Sequence, residues 1–359
     1  MIGEDSSGPS VGLFSAYVPC ELLYALGCRP VRVFPSAGKP TAAEAFLPRN
    51  FCSLDRLILA SFLEDEDAGL DAVIFADEDD ATRRLHDVWR TSVAVPVWGF
   101  VEVPRAATPL AINRYAGILA RLAADLEAHT GRSLNERSLG MAIAVYNQQR
   151  GLLSALKRLW LAGDINTAAY RRLRRTSLTQ DPVRVNQLLQ GALEETDKVE
   201  KGPSDPPASH RLLLLAELAA PPGLVRLVED HGAQVVAEDS DLDERELAEQ
   251  VPTDVETVEE LLAALAAAYL SKPPAPRMRD LPRRLTYLGG LASERGAGAA
   301  ICAYSKFCDL YLAEYPGLKA HLEGLGVPSL LLELEDEAIS GQHRTRVEAF
   351  LEMLNEKQA

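Results

Sequence analysis

Short aliphatic or β-branched runs alternate along this chain with longer stretches in which apolar residues return every three or four positions. Strands buried on both faces read as short continuous apolar runs, and helices that cover a sheet carry the 3.6-residue period. In the first half the runs at 31–34, 71–76 and 93–97 are expected strands, and 20–26 and 80–90 expected helices. The first of these helices follows Pro19, whose missing N–H would have no intrahelical partner in an opening turn. From Pro109 the pattern changes: Ile112, Tyr115, Leu119, Leu122 and Leu126 predict an amphipathic helix that Gly131 ends. Ser133 with Glu136 resembles a capping box opening a second long helix that reaches Trp160, the two forming a hairpin on the first sheet.

The segment 198–210, KVEKGPSDPPASH, mixes charge, Gly, Ser and three prolines without apolar periodicity, and reads as a linker. Beyond it the alternation resumes, with strands expected at 212–216, 233–237, 299–303 and 329–334 and helices at 223–231 and 255–270. A closing amphipathic helix turns Val347, Phe350, Leu351 and Leu354 inward. The pattern implies an α/β chain of two Rossmann-like parallel-sheet domains with an additional helical segment: 1–197, the 198–210 linker, and 211–359. Ligands of such architectures sit in the cleft between the lobes.

Composition narrows the function. At 359 residues and 47% apolar content the chain can bury two cores. It has no apolar run of the roughly 18 residues that suggest a membrane span, and residues 1–10 are acidic and Ser/Gly-rich without a basic or apolar signal region, so a cytoplasmic protein without a membrane partner is expected. A formal charge of -15 with no aromatic-basic patch argues against nucleic acid, and leaves the Arg-rich stretch 170–176 as a helix face or a local anion contact. The phosphate-binding pattern GxxxxGK[ST] is absent, so any use of ATP belongs to a partner. The five cysteines, Cys20, Cys28, Cys52, Cys302 and Cys308, are odd in number, widely spread and without a CxxC pair. That pattern excludes a disulfide framework, a zinc ribbon or a ferredoxin motif, so a metal centre would gather ligands from distant segments. Cys28 and Cys302 suit core positions.

Several blocks resemble, in order, the family of 2-hydroxyacyl-CoA dehydratase and benzoyl-CoA reductase subunits. They are Tyr17-Val-Pro-Cys-Glu-Leu-Leu-Tyr-Ala-Leu-Gly27, Leu47-Pro-Arg-Asn-Phe-Cys52, Asp80-Ala-Thr-Arg-Arg-Leu-His-Asp-Val-Trp89 and Tyr146-Asn-Gln-Gln-Arg150. The two most specific close the chain: Lys306-Phe-Cys-Asp309 and the run from Ser340-Gly-Gln to Leu354. The resemblance implies a 4Fe-4S cluster held by three cysteines from separated segments in the cleft between the domains. It implies a CoA thioester as substrate, a paralogous subunit in a heterodimer, and an ATP-hydrolysing iron-sulfur activator protein that delivers one energetic electron. Cys52 and Cys308 match the family's first- and second-domain ligands.

The chain departs from the pattern at two places. Asp79 stands where the family usually has a cysteine before Asp-Ala-Thr-Arg-Arg-Leu, and Asp241 where a second is expected. The third ligand is then Asp79 itself, or Cys20, gained where the Val-Pro-x-Glu segment usually carries a carboxylate; otherwise the cluster is altered or absent. Glu21 beside Cys20 is a candidate proton-transfer group. Ser340, Gln342 and Arg346, at the start of the last helix, are candidates for contacting the acyl-CoA, with simple helix capping as the bland reading. His86 and His343 lie in matched blocks, where a lone His is more often structural. Dehydration and aromatic-ring reduction both remain open, as do a non-catalytic, electron-relaying partner subunit and a metal-free two-lobed binding module.

Overall fold

The chain was analysed as a computed structural model, which describes residues 8–36, 38–64, 69–195, 210–247, 250–278 and 280–356. Two four-stranded sheets, parallel throughout, organise it. The first carries β1 (Ser10–Leu13), β2 (Arg29–Arg32), β3 (Ala72–Asp77) and β4 (Val97–Glu102) in the order β2-β1-β3-β4. The second carries β5 (His210–Ala216), β6 (Ala233–Asp239), β7 (Ala299–Ser305) and β8 (Ser329–Leu334) in the order β6-β5-β7-β8. Strand order reverses between β1 and β3 and again between β5 and β7, so each sheet has a topological switch point at its C-terminal edge. The architecture is the expected α/β fold with two Rossmann-like sheets.

The helices follow in chain order: α1 (Cys20–Ala25), α2 (Ser53–Glu64), α3 (Asp80–Ser92), α4 (Pro109–Thr130), α5 (Glu136–Ala162), α6 (Thr167–Ser177), α7 (Pro182–Glu194), α8 (Pro222–Asp230), α9 (Val258–Ser271), α10 (Leu281–Arg295), α11 (Asp309–Gly324) and α12 (Gly341–Glu356). Their packing crosses the division expected from the chain alone. Leu139, Ala142 and Ile143 of α5 join the core of the first sheet, while Leu153, Leu156 and Trp160 of the same helix join that of the second. At 1.5 Å per residue α5 is about 40 Å long, enough to brace both lobes. The expected hairpin therefore packs on the first sheet through α4 and only the opening turns of α5. In return α9, from the C-terminal half, buries Leu261, Leu262 and Leu265 in the first core. Of the expected linker, residues 198–209 lie outside the described residues and His210 opens β5. Among the described residues no helix is long and apolar enough to cross a membrane.

Two local expectations are corrected. The last strand of the first sheet is 97–102 rather than 93–97, because Val93 caps α3 with its N–H on the Trp89 carbonyl and the Val95 carbonyl takes the Trp89 indole N–H at 2.8 Å. The box that opens α5 is Asn135 with Ser138, not Ser133 with Glu136: Asn135 accepts the Ser138 N–H at 2.9 Å and Ser138 Oγ accepts the Asn135 N–H at 3.3 Å.

Strand β1 went unseen in the sequence because a Ser and a Gly dilute its apolar run, yet all four of its residues are buried. Gly12 is required there: a Cβ would stand 2.7 Å from Leu70 Cδ1, 2.9 Å from Val33 Cγ2 and 3.0 Å from Val73 Cγ1. Gly12→Ala is expected to destabilise the first lobe by about 1–3 kcal/mol through overpacking. A lowered denaturant midpoint checks this; an unchanged midpoint would mean that the three neighbours move aside without cost.

Candidate metal and ligand site

Loops leaving the C-terminal edges of both sheets meet in the crevice, and polar contacts lock them. Ser53, at the start of α2, donates its N–H to the Lys306 carbonyl at 3.0 Å and its hydroxyl to the Leu334 carbonyl at 2.7 Å. The residue before it, Cys52, is thereby carried into the core of the second sheet. Arg277, between α9 and α10, reaches Glu78 at 2.7 Å and Asp79 at 3.3 Å, both just past β3. Arg105 donates to the Glu78 carbonyl and, at 2.8 Å, to that of Arg277.

Beside this clamp three donors converge. The Cys52 and Cys308 sulfurs and a carboxylate oxygen of Glu217 lie within 4.8 Å of one another, all from buried residues. Two ligands each about 2.3 Å from one ion stand no more than ~4.6 Å apart, so the trio already has nearly the span of a single coordination shell. Cys52 immediately precedes α2, and Cys308 is the N-cap of α11, where the helix dipole favours negative sulfur. Phe307, the single described non-glycine residue at positive φ (61°), turns the chain just ahead of Cys308. Backbone strain of this kind collects at functional sites.

Glu217 directly follows β5, the central strand of the second sheet next to its switch point. One oxygen accepts the Ser305 N–H at 3.1 Å, and the other, Oε2, is buried without a hydrogen-bond partner among the described residues. The residue escaped the sequence reading. Its only signal is a carboxylate directly behind an apolar strand run at a sheet's C-terminal edge.

Burial and contacts within the group favour the protonated forms of all three. Cys52 is pushed well above the ordinary thiol value, first by its hydrogen bond with Cys308 and then by burial. For Cys308 the same bond acts downward, but burial and Glu217 leave it raised. Burial also raises Glu217, against the pull of Arg277, and with Asp79 nearby it lifts Asp55 to about 7. Two sulfurs suit an iron-sulfur centre or a zinc ion, and a buried oxygen without a partner is what a harder third ligand looks like before its metal. In donor type and burial, these residues fit such a group.

The other residues singled out from the sequence lie elsewhere. Asp79 belongs to no such donor group: it caps α3 by accepting the Thr82 N–H at 2.7 Å and pairs with Arg277, and although burial pushes its carboxyl up, Arg277, Thr82 and Arg105 together hold it below the usual value. Cys20 faces a separate small cavity with Arg32, Tyr146 and Glu246, and burial pushes its thiol up to about 12. Glu21 is fully buried, bonded by Arg150 and by the Tyr269 hydroxyl at 2.7 Å, which makes it a brace between α1, α5 and α9. Ser340, Gln342 and Arg346 are exposed at the start of α12, where Ser340 caps the helix through the His343 N–H at 3.2 Å. Cys28 and Cys302 are wholly buried.

A cavity of about 370 Å³ opens against Glu217. Leu54, Leu57, Ala220 and Ala303 give it apolar walls, and Arg171, Arg172, Arg175 and Arg226 line it together with the acidic Glu229, Asp336 and Glu337. Arg171 is engaged by Glu238, and Arg175 lies over the Phe34 ring at 4.3 Å. Ser340, Gln342 and Arg346 are not among its lining residues.

Comparison with known proteins gives this crevice a context. The family profile described as 2-hydroxyglutaryl-CoA dehydratase, D-component, matches residues 15–354. The chain belongs to that family. It is similar to the (R)-phenyllactyl-CoA dehydratase beta subunit of Clostridium sporogenes, 23% identical over 358 residues that cover 98% of this chain and 93% of the relative. It is also similar to the lactoyl-CoA dehydratase subunit beta of Anaerotignum propionicum (25% identical; 96% and 91% covered) and to a subunit of the benzoyl-CoA reductase of Thauera aromatica (24%; 94% and 88%). In this chain the crevice clamp pairs one buried arginine with two carboxylates. Removing one partner of a buried ion pair costs about 3–5 kcal/mol, and Arg277→Ala strands two carboxylates. A marked fall in the thermal midpoint is expected, and a midpoint equal to that of the unmutated chain would show that the crevice is not held by this pairing.

Proposed function

We propose that the chain is an iron-sulfur subunit of an activator-driven radical dehydratase or aromatic-ring reductase that acts on a CoA thioester. One observation carries the reading: Glu217 belongs both to the buried donor group and to the wall of the cavity, so a metal centre and an organic ligand would meet at that residue. The relatives' names support the substrate class and the multi-subunit setting. A paralogous subunit and a separate ATP-hydrolysing iron-sulfur activator are the partners that the resemblance implies. Cys52 and Cys308 would hold the cluster. Its chemistry when bound is one-electron transfer at low potential.

The chain's own residues then have definable tasks. Leu54, Leu57, Ala220 and Ala303 exclude water from the Glu217 end of the cavity and accept an apolar acyl portion. Arg172 and Arg226, exposed and without an ion pair among the described residues, offer charge to the phosphates of CoA. Ser53 fixes α2 on the second sheet and so fixes where Cys52 points.

A second reading, an electron-relay subunit that completes another chain's catalytic centre, is favoured by Asp79 and Asp241. Both stand where the resemblance leads one to expect sulfur, and both are committed to arginines: Asp79 to Arg277, Asp241 to Arg245 at 3.4 Å. Turnover of an acyl-CoA by this chain with activator and ATP alone, without a paralogue, would establish the catalytic reading.

Protein purified without oxygen is expected to contain iron and acid-labile sulfide and to absorb broadly in the visible. Cys52→Ser and Cys308→Ser should each remove most of both. Full retention in either variant would remove that cysteine from the assignment, and unmutated protein without metal would defeat the reading as a whole. Arg172→Ala and Arg226→Ala should each weaken CoA binding by roughly 1 kcal/mol, about fivefold, in equilibrium dialysis. Unchanged affinity in both would move the CoA phosphates away from this rim.

A further inference from the structure

We infer that Glu217 is the third protein ligand of the centre, making it a site of two thiolates and one carboxylate; the inference rests on reading the crevice as a metal site. Several independent features of the crevice converge on this residue. Its carboxylate already stands with the two sulfurs inside 4.8 Å, and no other set of three or more donor residues comes so close among the described residues. The Ser305 N–H holds Oε1 at 3.1 Å and so aims the carboxylate, the Cys308 thiol interacts with it, and Oε2 is buried and takes no N–H or O–H from the described residues. A buried oxygen left in that state costs about 1–3 kcal/mol, a penalty that one bond to a cation removes.

The competing carboxylate and thiol are otherwise engaged. Asp79 spends Oδ1 on the Thr82 N–H and Oδ2 on Arg277. Cys20 shares its cavity with Arg32, Tyr146 and Glu246, and neither Cys52, Cys308 nor Glu217 lines that cavity. Asp241 is tied to Arg245, and its N–H donates to the Glu217 carbonyl at 3.0 Å, which anchors the Glu217 backbone.

The arrangement is also directional. Of the three donors only Glu217 lines the 370 Å³ cavity; Cys52 and Cys308 do not. Carboxylate oxygen is the harder donor and binds a thiolate-preferring metal less firmly than sulfur does. Glu217 therefore joins the buried donor group to the wall of the space where an organic ligand would enter, while Oε2 itself is buried on the side of the donors.

The test uses the full chain, purified and handled without oxygen, in unmutated form and as Glu217→Gln, Glu217→Cys, Asp79→Ala and Cys20→Ser. Metal, iron and sulfide content are measured together with Mössbauer spectra of iron-57-labelled protein. Glu217→Gln keeps the shape and the Ser305 contact but weakens the donor, and should lower metal affinity by at least about tenfold, the smallest loss seen when even a ligand's supporting group is removed. Glu217→Cys should retain the centre, make it more resistant to air and change its spectrum to that of a three-thiolate ligand set. Asp79→Ala and Cys20→Ser should keep full content. In a four-iron centre of the unmutated protein two irons, the one bound by Glu217 and the one without a protein ligand, should differ from the two held by thiolates.

Metal content and spectra that are the same in Glu217→Gln as in the unmutated chain, while Cys52→Ser still loses metal, would overturn this inference and leave the metal-centre reading standing. So would loss of metal in Asp79→Ala or Cys20→Ser with Glu217→Gln unaffected. Should Glu217→Gln fail to fold, the decision passes to the unmutated spectrum: no more than one differing iron would overturn the assignment. Zinc without sulfide, lost in Glu217→Gln, would uphold Glu217 as a ligand and defeat the iron-sulfur reading instead. No metal in the unmutated chain would defeat both.

Discussion

The crevice depends on one buried pairing, Arg277 with Glu78 and Asp79. At 3 Å and an effective dielectric constant near 20, each contact contributes roughly 5 kcal/mol of attraction. Taking each ion out of water costs several kcal/mol, so the pairing is close to neutral for stability. Its effect is geometric. With the charges buried, the loop after β3 can take only positions in which both carboxylates find the guanidinium, and that loop carries the cap of α3. Arg105 extends the constraint by bonding the carbonyls of Glu78 and Arg277, so the loop after β3 and the turn before α10 are one polar unit.

The same logic explains why carboxylates rather than thiols stand at Asp79 and Asp241. A thiol in contact with a buried guanidinium would leave that charge uncompensated unless the sulfur ionised. A carboxylate compensates it directly, and Asp79 is held below its ordinary value by Arg277 and Thr82 despite burial. Arg245 binds Asp239 through both oxygens as well as Asp241, and Arg284 joins Asp239 to Glu314. Carboxylates where the resemblance leads one to expect sulfur therefore go with a crevice organised around arginine, and among the described residues Cys52, Cys308 and Glu217 form the close donor group that makes no ion pair.

The fold was legible where burial acts along the chain. Six of the eight strands showed as apolar runs at their own places, β4 was expected four residues too early, and 329–334 was read to the residue because its run ends at charged Glu335 and Asp336. β1 was not, because in a strand so short the close approach that demands Gly12 also removes an apolar residue from the pattern. Helices α10 and α11 were missed for a related reason: glycines at 289, 290 and 317, with Pro316, interrupt their period, and tertiary packing supplies the order that local pattern lacks. Packing partners were less legible still. Nothing in the period of α5 tells that its two ends serve different sheets, since both ends need the same kind of apolar stripe.

The candidate site was half legible, and the division follows from what a cysteine and a glutamate signify in a sequence. Cysteine is rare, so Cys52 and Cys308 could be singled out one by one; glutamate is common, and Glu217 becomes meaningful only once β5 delivers it beside two sulfurs. The structure adds the order of the three. Both sulfurs lie off the cavity at helix N-termini, where the helix dipole offsets the negative charge that metal binding requires of them. Glu217 joins them to the cavity wall, its carboxylate held on one oxygen by Ser305 and buried on the other. A centre held in this way would keep its two firmer sulfur ligands off the cavity and its one harder ligand on the residue that borders it. That order follows from placing Glu217, and not a third cysteine, at the end of the strand that forms the cavity wall.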